Sequence, residues 1–199
     1  GLAQAFILGE DFIGDDACAM ILGDNIYFGN GFVSMLNNAK EEAENGKASI
    51  FGYQVRDPER FGIMELDKNN NVIGVEEKPA VPKSNFAITG LYFYPLNDMY
   101  LKEGTLRAEL LGGGFTWYDT GTHNSLSDAS NMIRSVQYNN GKIISCPEAI
   151  AYKNGWITKE KLIESAEIMK KNEYGKYLFD VAEKKNNNNE LKGKSLIYK

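Results

Sequence analysis

Apolar and polar positions follow two different rhythms along this chain, which predict helices in some segments and strands in others. Apolar residues recur at helical spacing over positions 2–12, 31–45, 122–138, 148–153, 159–171 and 174–185. Apolar runs or strict alternation predict strands at 18–22, 48–55, 62–66, 72–76, 87–94, 106–111, 114–118 and 142–146. Because the two kinds of element interleave, we expect an α/β fold, a Rossmann-like mixed sheet flanked by helices with a helical C-terminal subregion.

The first predicted strand, at 18–22, is an uninterrupted apolar run, which is typical of a buried parallel strand. It is followed at once by Gly23, Asp24 and Asn25. Ligands of open α/β sheets lie beyond the carboxyl ends of the strands, so Asp24 is placed to reach a ligand or to hold a cation. All three residue types are also common in turns, and a simple turn is the alternative.

A second aspartate, Asp119, follows the aromatic strand at 114–118 and precedes the helix at 122–138. Capping of that helix by Asp119 or Thr122 is the alternative role. Two carboxylates at the ends of two strands can instead share Mg²⁺, which typically takes one or two carboxylates and completes its shell with substrate phosphates. His123 is the only histidine and has no Cys or His at ligand spacing, so neither a zinc site nor a Ser-His-Asp triad is expected.

A third candidate site lies where Glu77 and Lys78 precede Pro79. The proline is expected to keep Lys78 extended, so that the two side chains project to opposite sides. A lysine suits an anionic phosphate, and a carboxylate suits sugar hydroxyls as their acceptor. The alternative is a solvated charge cluster at a strand end.

Composition narrows the functional classes. The chain has 199 residues, 43% of them hydrophobic and 25% charged, as in ordinary globular proteins. A net charge of -5 gives no electrostatic reason to bind nucleic acid or an anionic membrane. No apolar run is long enough to span a bilayer, and no signal peptide is expected. Cys18 and Cys146 are far apart and predict reduced thiols of a cytoplasmic protein.

Seven short motifs share one order and context with a known family. They are GLAQA at 1–5, LGDN at 22–25, DPERFG at 57–62, EEKP at 76–79, PKSN at 82–85, TGLY at 89–92 and WYDTGTH at 117–123. Together with NEYGKY at 172–177, the series resembles the glucose-1-phosphate thymidylyltransferases, from Gly1 to about Lys176. The single motifs are shared with relatives that make UDP-, ADP- or CDP-sugars.

The resemblance implies an enzyme that joins dTTP and α-D-glucose 1-phosphate to give dTDP-glucose and pyrophosphate, the first step of dTDP-rhamnose biosynthesis. It implies that Asp24 and Asp119 hold Mg²⁺ and that Lys78 pairs with the sugar phosphate, these three being the catalytic residues. Other implied substrate contacts are Gly1 and Leu2 at the thymine, Glu77, Gly62 and Ile88 at the glucose, and Asn25, Tyr92 and Trp117 around them. A homotetramer is implied as well.

The chain also departs from the family pattern. The family's N-terminal strand, its glycine-rich triphosphate loop and the lysine that follows are absent ahead of Gly1, and a helical segment is absent near Pro95. Either these parts were deleted or the 199 residues are a piece of a longer chain, and we favour the second because loss of the first strand and a sheet-covering helix would expose core surface. We expect the 199 residues on their own to be poorly folded and inactive. A sister enzyme using UTP or another nucleotide, and an inactive nucleotide-sugar-binding relative, are the alternatives. The expected organisation is a partial nucleotidyltransferase core at 1–140, helices at 141–185 and a disordered tail at 186–199.

Overall fold

A computed structural model describes residues 3–95 and 104–192 of the chain. Its helices are α1 Ala3–Leu8, α2 Glu10–Ile13, α3 Phe32–Glu44, α4 His123–Asn140, α5 Pro147–Lys153, α6 Lys159–Ile168 and α7 Glu173–Lys192. Its strands are β1 Cys18–Ile21, β2 Asn25–Gly29, β3 Ala48–Gln54, β4 Gly62–Leu66, β5 Val72–Glu77, β6 Phe86–Tyr94, β7 Leu106–Leu111 and β8 Phe115–Asp119. The helix predicted at 2–12 is interrupted at Gly9, a residue type that weakens helices, and forms α1 and α2.

The sheet is mixed, as the sequence predicted. Its strands run in the order β5-β4-β6-β3-β7, and β1 pairs with the second half of β6. β3 and β7 are parallel, whereas the pairings of β6 with β1, β3 and β4, and of β4 with β5, are antiparallel. The prediction of an α/β fold with a mixed sheet and flanking helices is therefore confirmed.

β1 is not the buried parallel strand that the sequence predicted. It pairs antiparallel with β6, from Cys18 opposite Tyr94 to Ile21 opposite Leu91. Its side chains alternate between half-buried and exposed, and Ile21 is 58% exposed. A short apolar run is compatible with a buried parallel strand and with a half-exposed antiparallel strand. The run itself does not specify which strands pair with it or which residues pack on each of its faces.

β2 was not predicted as a strand. It forms a two-stranded antiparallel ribbon with β8, in which Asn25 lies opposite Asp119 and Gly29 opposite Phe115. The sequence shows only a turn signal at its start, since Gly23 and Asp24 precede it directly. This ribbon brings together the two chain segments that carry the candidate aspartates.

Each face of the sheet contributes to a separate apolar cluster. On one face, helix α3 packs Ala39 against Phe51, Leu91 and Leu111. Another cluster contains the fully buried Met64 and its neighbours Ala48, Ile50, Val72 and Leu106. The strands that carry the candidate site are thus fixed by buried apolar residues next to them.

The chain divides into two compact units, Gly1–Ala129 and Ser130–Lys199. The second has its own core, which includes Leu162, Ala166 and Leu178. The strand predicted at 142–146 is wrong: these residues form a turn in which Ile144 donates its N–H to Gln137 Oε1 at 2.8 Å and Ser145 has a φ of 53°. The domain limits predicted at 140 and 185 stay predictions.

Helix α7 continues through Asn186–Asn189 to Lys192, where the sequence predicts a disordered tail. Residues 193–199 of the predicted tail lie outside the described residues. Within the part of the chain that the structure describes, no helix has both the length and the apolar character needed to cross a bilayer.

Candidate functional site

Asp24 and Asp119 lie at the same end of the β2–β8 ribbon. Asp24 precedes β2 in a turn in which the Asn25 N–H donates to the Leu22 carbonyl at 3.1 Å, and Asp119 is the last residue of β8. Thr120 donates both its N–H and its hydroxyl to the Asp24 carbonyl, each at 2.8 Å. These bonds fix the backbone positions of both aspartates relative to each other.

Gly121 lies between the two carboxylates. A Cβ atom at this position would lie 3.1 Å from Asp119 Oδ1 and 3.9 Å from Asp24 Oδ2. The Gly121 N–H also donates to Asp119 Oδ1 at 3.0 Å. Because glycine has no side chain, the space between the carboxylates stays open, and the structure brings together the two aspartates that the sequence singled out.

The alternative roles of the two aspartates are only partly realised. Asp24 does lie in a turn. The structure is therefore compatible with Asp24 as a turn residue and with Asp24 as a ligand of a cation. The start of α4 is capped by Thr122 instead of Asp119, because Thr122 Oγ1 accepts the N–H of Ser125 at 3.2 Å. The Asp119 carboxylate is therefore not engaged as the cap of this helix.

The donor set at this position suits a hard cation with few protein ligands. Two carboxylates converge there, and among the described residues no group of three or more His, Cys, Asp or Glu side chains is arranged to hold a metal. Mg²⁺ in phosphate-transfer sites is typically bound by one or two carboxylates, with water and phosphates as its other ligands. The residues present fit that pattern, whereas a closed structural zinc site would need four ligands.

Glu77, Gly62 and Ile88, the residues that the sequence predicts at the glucose, lie close together. Gly62 pairs with Glu77 across β4 and β5. A Cβ atom on Gly62 would lie 2.9 Å from Glu77 Oε2 and 3.8 Å from Ile88 Cδ1, so a side chain here would displace the Glu77 carboxylate from its present position. Burial, and to a smaller extent the nearby charge of Glu77, raises the pKa of the Tyr92 hydroxyl, which places Tyr92 in the same group.

Lys78 does not have the extended conformation that the sequence predicted. Its φ is 45°, its N–H donates to the Phe61 carbonyl at 3.0 Å, and its Nζ lies 3.7 Å from Glu77 Oε1. The two side chains therefore lie on the same side, not on opposite sides. The bond to Phe61 and the burial of Pro79 hold the backbone in this left-handed conformation, which is strained for a lysine. The ammonium itself is exposed.

Trp117 lines a cleft of about 360 Å³ together with Asp119. Its indole packs edge-on against Phe61, with ring centroids 5.2 Å apart, and its Nε1 donates to Asn25 Oδ1 at 2.7 Å. The other residues that line this cleft are Tyr53, Gln54, Val55, Arg56, Asp57, Arg60, Phe61, Tyr118 and Ser125. Two residues predicted at the thymine, Gly1 and Leu2, lie outside the described residues.

Sequence reasoning missed Tyr27 and Gly90. The Tyr27 hydroxyl donates to the Thr89 carbonyl, and its pKa is raised mainly by burial, with smaller contributions from Tyr92 and the charge of Asp24. Gly90 has a φ of 73° and lies against Asn25. Recognising the strand at 25–29 would have placed Tyr27 near the site, but no local signal identifies Gly90.

The mixed sheet flanked by helices is the fold of a nucleotidyl transferase, and the family model of that description matches residues 1–97. Among curated proteins, the chain is 45% identical over 206 residues to the glucose-1-phosphate thymidylyltransferase of Neisseria meningitidis serogroup A. The match covers 92% of this chain and 71% of that protein. The chain belongs to the glucose-1-phosphate thymidylyltransferase family, which confirms the resemblance drawn from its motifs.

Other relatives agree with this assignment. The thymidylyltransferase of Xanthomonas campestris pv. campestris is 43% identical, with 92% of this chain and 69% of that protein covered. A crystal structure of a Bacillus anthracis protein, described as a glucose-1-phosphate thymidylyltransferase in complex with a sucrose, is 35% identical with a TM-score of 0.56. That match covers 66% of this chain and 60% of the other chain.

A more distant structure shares the fold alone. The UTP-bound UGPase of Acinetobacter baumannii is 20% identical with a TM-score of 0.54, and the match covers 66% of this chain and 55% of that one. This likeness supports the fold of a mixed sheet flanked by helices.

Proposed function

We propose that this protein transfers a thymidylyl group from dTTP to α-D-glucose 1-phosphate and releases dTDP-glucose and pyrophosphate. The observation that carries the proposal is the pair of carboxylates, Asp24 and Asp119, held around Gly121 next to the cleft lined by Trp117. The names of its relatives indicate the same substrates. The sugar phosphate and the nucleotide are the partners, and neither a nucleic acid nor a membrane is proposed.

Glu77 and Lys78 are suited to the sugar phosphate. The Glu77 carboxylate lies beside the backbone of Gly62 and can accept hydrogen bonds from glucose hydroxyls. The exposed Lys78 ammonium has three donors and can pair with the phosphate. Ile88 and Tyr92 border Glu77 and would limit the position of the sugar ring.

Asp24 and Asp119 would hold Mg²⁺, which at such a site neutralises phosphate charge and orients the triphosphate. Asn25 donates its Nδ2–H to Asp24 Oδ1 at 2.9 Å, so Asp24 Oδ2 remains available on the side of Gly121. Tyr27 would stay protonated beside Asp24, because burial raises the pKa of its hydroxyl far above neutrality. The Tyr27 hydroxyl therefore adds no negative charge beside the proposed metal-binding pair.

The reaction needs no general base. A phosphate oxygen of glucose 1-phosphate is already an anion, and it forms the new P–O bond at the α-phosphorus of dTTP. The bond from the α-phosphorus to the bridging oxygen breaks, and its electron pair leaves with pyrophosphate. The protein therefore has to align two anionic substrates and offset their repulsion, which is what Lys78 and the two aspartates with their cation would do.

A homotetrameric assembly is also proposed on the family resemblance alone, and a cytoplasmic location on the two unpaired cysteines, Cys18 and Cys146. The unit of residues Gly1–Ala129 contains all the described residues to which a role in the reaction is assigned.

The function is tested by pyrophosphate release from dTTP and from UTP, each with glucose 1-phosphate. The protein used has the family's glycine-rich loop joined ahead of Gly1, because the 199 residues alone are expected to be inactive. We expect turnover with dTTP, a clear preference over UTP, and loss of turnover in Asp24→Asn by about 10³-fold. A strong preference for UTP would instead identify the sister enzyme. Binding of dTDP-glucose without pyrophosphate release would identify an inactive relative.

A further inference from the structure

Trp117, Asn25 and Asp24 form a hydrogen-bond chain that leads from the protein interior to the pair of aspartates. The indole Nε1–H donates to Asn25 Oδ1 at 2.7 Å, and Asn25 Nδ2 donates to Asp24 Oδ1 at 2.9 Å. Trp117 is only 8% exposed, whereas Asp24 lies at the surface. The buried indole is thus connected to an exposed carboxylate through a single amide.

The chemistry of the three groups gives this chain one direction. An indole N–H can only donate, so the amide atom that faces it must be the oxygen of Asn25. The amide nitrogen then faces Asp24, where an ionised carboxylate can only accept. Turning the amide over would place two donors together at the indole and two acceptors together at the aspartate.

The position of the amide is also restricted by the backbone around it. Asn25 is held opposite Asp119 in the β2–β8 ribbon. A Cβ atom on Gly90 would lie 3.1 Å from Asn25 Nδ2 and 2.8 Å from Leu22 Cδ1, so the backbone of Gly90 comes close to the amide. The amide is therefore confined by the ribbon, the indole and Gly90, and it can transmit the position of Trp117.

We propose that Trp117 is a positioning residue for the metal-binding pair, acting through Asn25. The indole orients the amide, the amide engages Asp24 Oδ1, and Asp24 Oδ2 is thereby left on the side of Gly121 and Asp119. The inference rests on the proposed function for the identity of the site. In this proposal the indole N–H orients the Asn25 amide, and this role is separate from any contact that the indole ring makes in the cleft.

The first test is Trp117→Phe, which keeps an aromatic ring against Phe61 and removes the N–H donor together with part of the indole volume. The probe is Mn²⁺, alone and with dTTP present, and free Mn²⁺ is measured by electron paramagnetic resonance. We expect the Kd for Mn²⁺ to rise by about tenfold, the lower end of the effect of removing an outer-shell partner. The matched control is Trp156→Phe at the second tryptophan, which is 73% exposed, and it should leave the Kd unchanged.

A second variant tests the middle of the chain. Asn25→Ala leaves the indole in place and should weaken Mn²⁺ binding to a similar extent. In the double variant with Trp117→Phe, no further loss is expected, since both substitutions interrupt one path. Additive losses would show that Trp117 acts by another route and would overturn the proposal. So would an unchanged Kd in Asn25→Ala, even if Trp117→Phe failed to fold.

Kinetics separate this role from a sugar contact. If Trp117→Phe raises the KM for glucose 1-phosphate while its Kd for Mn²⁺ equals that of the unsubstituted protein, the indole only contacts the sugar and the proposal is overturned. Absence of Mn²⁺ binding to the unsubstituted protein under both conditions overturns it as well. A protein that binds Mn²⁺ as expected but has no turnover with dTTP contradicts the proposed function and leaves the positioning role intact.

Discussion

Two glycines determine how closely the polar side chains of the site approach each other. Gly62 allows the Glu77 carboxylate to lie against the backbone of β4, and Gly121 keeps the space between Asp24 and Asp119 open. In both places a Cβ atom would lie within 3.1 Å of a carboxylate oxygen. The site therefore depends on residues without side chains as much as on its charged groups.

The role of the Lys78 charge can be tested by comparison with Lys83, a lysine in a similar environment. Lys78 and Lys83 are 65% and 67% exposed, and each lies near one glutamate, Glu77 at 3.7 Å and Glu65 at 3.5 Å. Under the proposed function, Lys78→Met should lower kcat/KM for glucose 1-phosphate by roughly tenfold to a hundredfold, the effect of losing one charge-assisted hydrogen bond.

The control is Lys83→Met, which removes the same charge from the same hairpin region and should leave kcat/KM within about twofold. Equal losses in both variants would mean that general electrostatic attraction, not a specific phosphate contact, is responsible. Steady-state kinetics over a range of salt concentrations distinguish the two cases, because long-range attraction is screened by salt.

Among the elements, the β4–β5 hairpin supports Glu77 and Lys78 at one end and is closed by a loop at the other. In that loop the Asp67 carboxylate accepts the N–H groups of Asn69 and Asn71, each at 2.8 Å, and the Asn71 side-chain amide at 2.9 Å. These bonds, above all those from Asn71, lower the pKa of Asp67 below its ordinary value of 3.8. The register of the hairpin is thus reinforced at the loop.

We therefore expect Asp67→Ala to destabilise the protein in a pH-dependent way. A carboxyl whose pKa is lower in the folded state contributes stability above its unfolded pKa and loses it as the pH falls through the folded pKa. The stability difference between the two proteins should be fully present near neutral pH and should shrink below about pH 4. Urea denaturation at several pH values measures it.

The neighbouring exposed residue provides the control for this prediction. Lys68→Ala changes the same loop without removing a carboxylate, and its effect on stability should not vary over this acid range. If Asp67→Ala lowers the free energy of unfolding by the same amount at every pH, the ionised Asp67 carboxylate does not stabilise the loop as described.

In the whole molecule, each compact unit is stabilised by its own buried residues. Phe51 and Met64 are fully buried in the unit Gly1–Ala129, and Leu162 and Leu178 in the unit Ser130–Lys199. All the described residues that the proposed reaction uses belong to the first unit. The helices of the second unit are held together by a cluster that contains none of those residues.

Leu162→Ala should accordingly lower the free energy of unfolding of the helical unit by about 2–5 kcal/mol, because it leaves a cavity in a closed core. The measurement is urea denaturation followed by Trp156 fluorescence in a Trp117→Phe background. Ile168→Ala is the control, since Ile168 is 82% exposed and its loss should cost less than about 0.5 kcal/mol. Similar losses for both would mean that Leu162 is not enclosed as described.

Much of the fold was predictable because local patterns determine the type of an element. Helical spacing identified α3, α4, α5 and α6 within a few residues, and turn residues identified the hairpin loop at 67–71. Errors occurred where the pattern is ambiguous or too short. β2 follows a turn signal directly, and residues 142–146 contain a short β-branched pair, Ile143 and Ile144, although no strand pairs with them among the described residues.

The sequence by itself determined the family of this protein through its motifs, and it supplied two aspartates, a glutamate and a lysine as candidates for the groups that the proposed phosphate transfer requires. Only the tertiary structure decided that β1 pairs antiparallel, that Lys78 turns towards Glu77, and that Gly121 separates the carboxylates. The reason is that side-chain chemistry and periodicity are local, whereas a contact depends on which distant segments pair. Trp117 and Asn25, 92 positions apart, meet only because β2 and β8 form a ribbon.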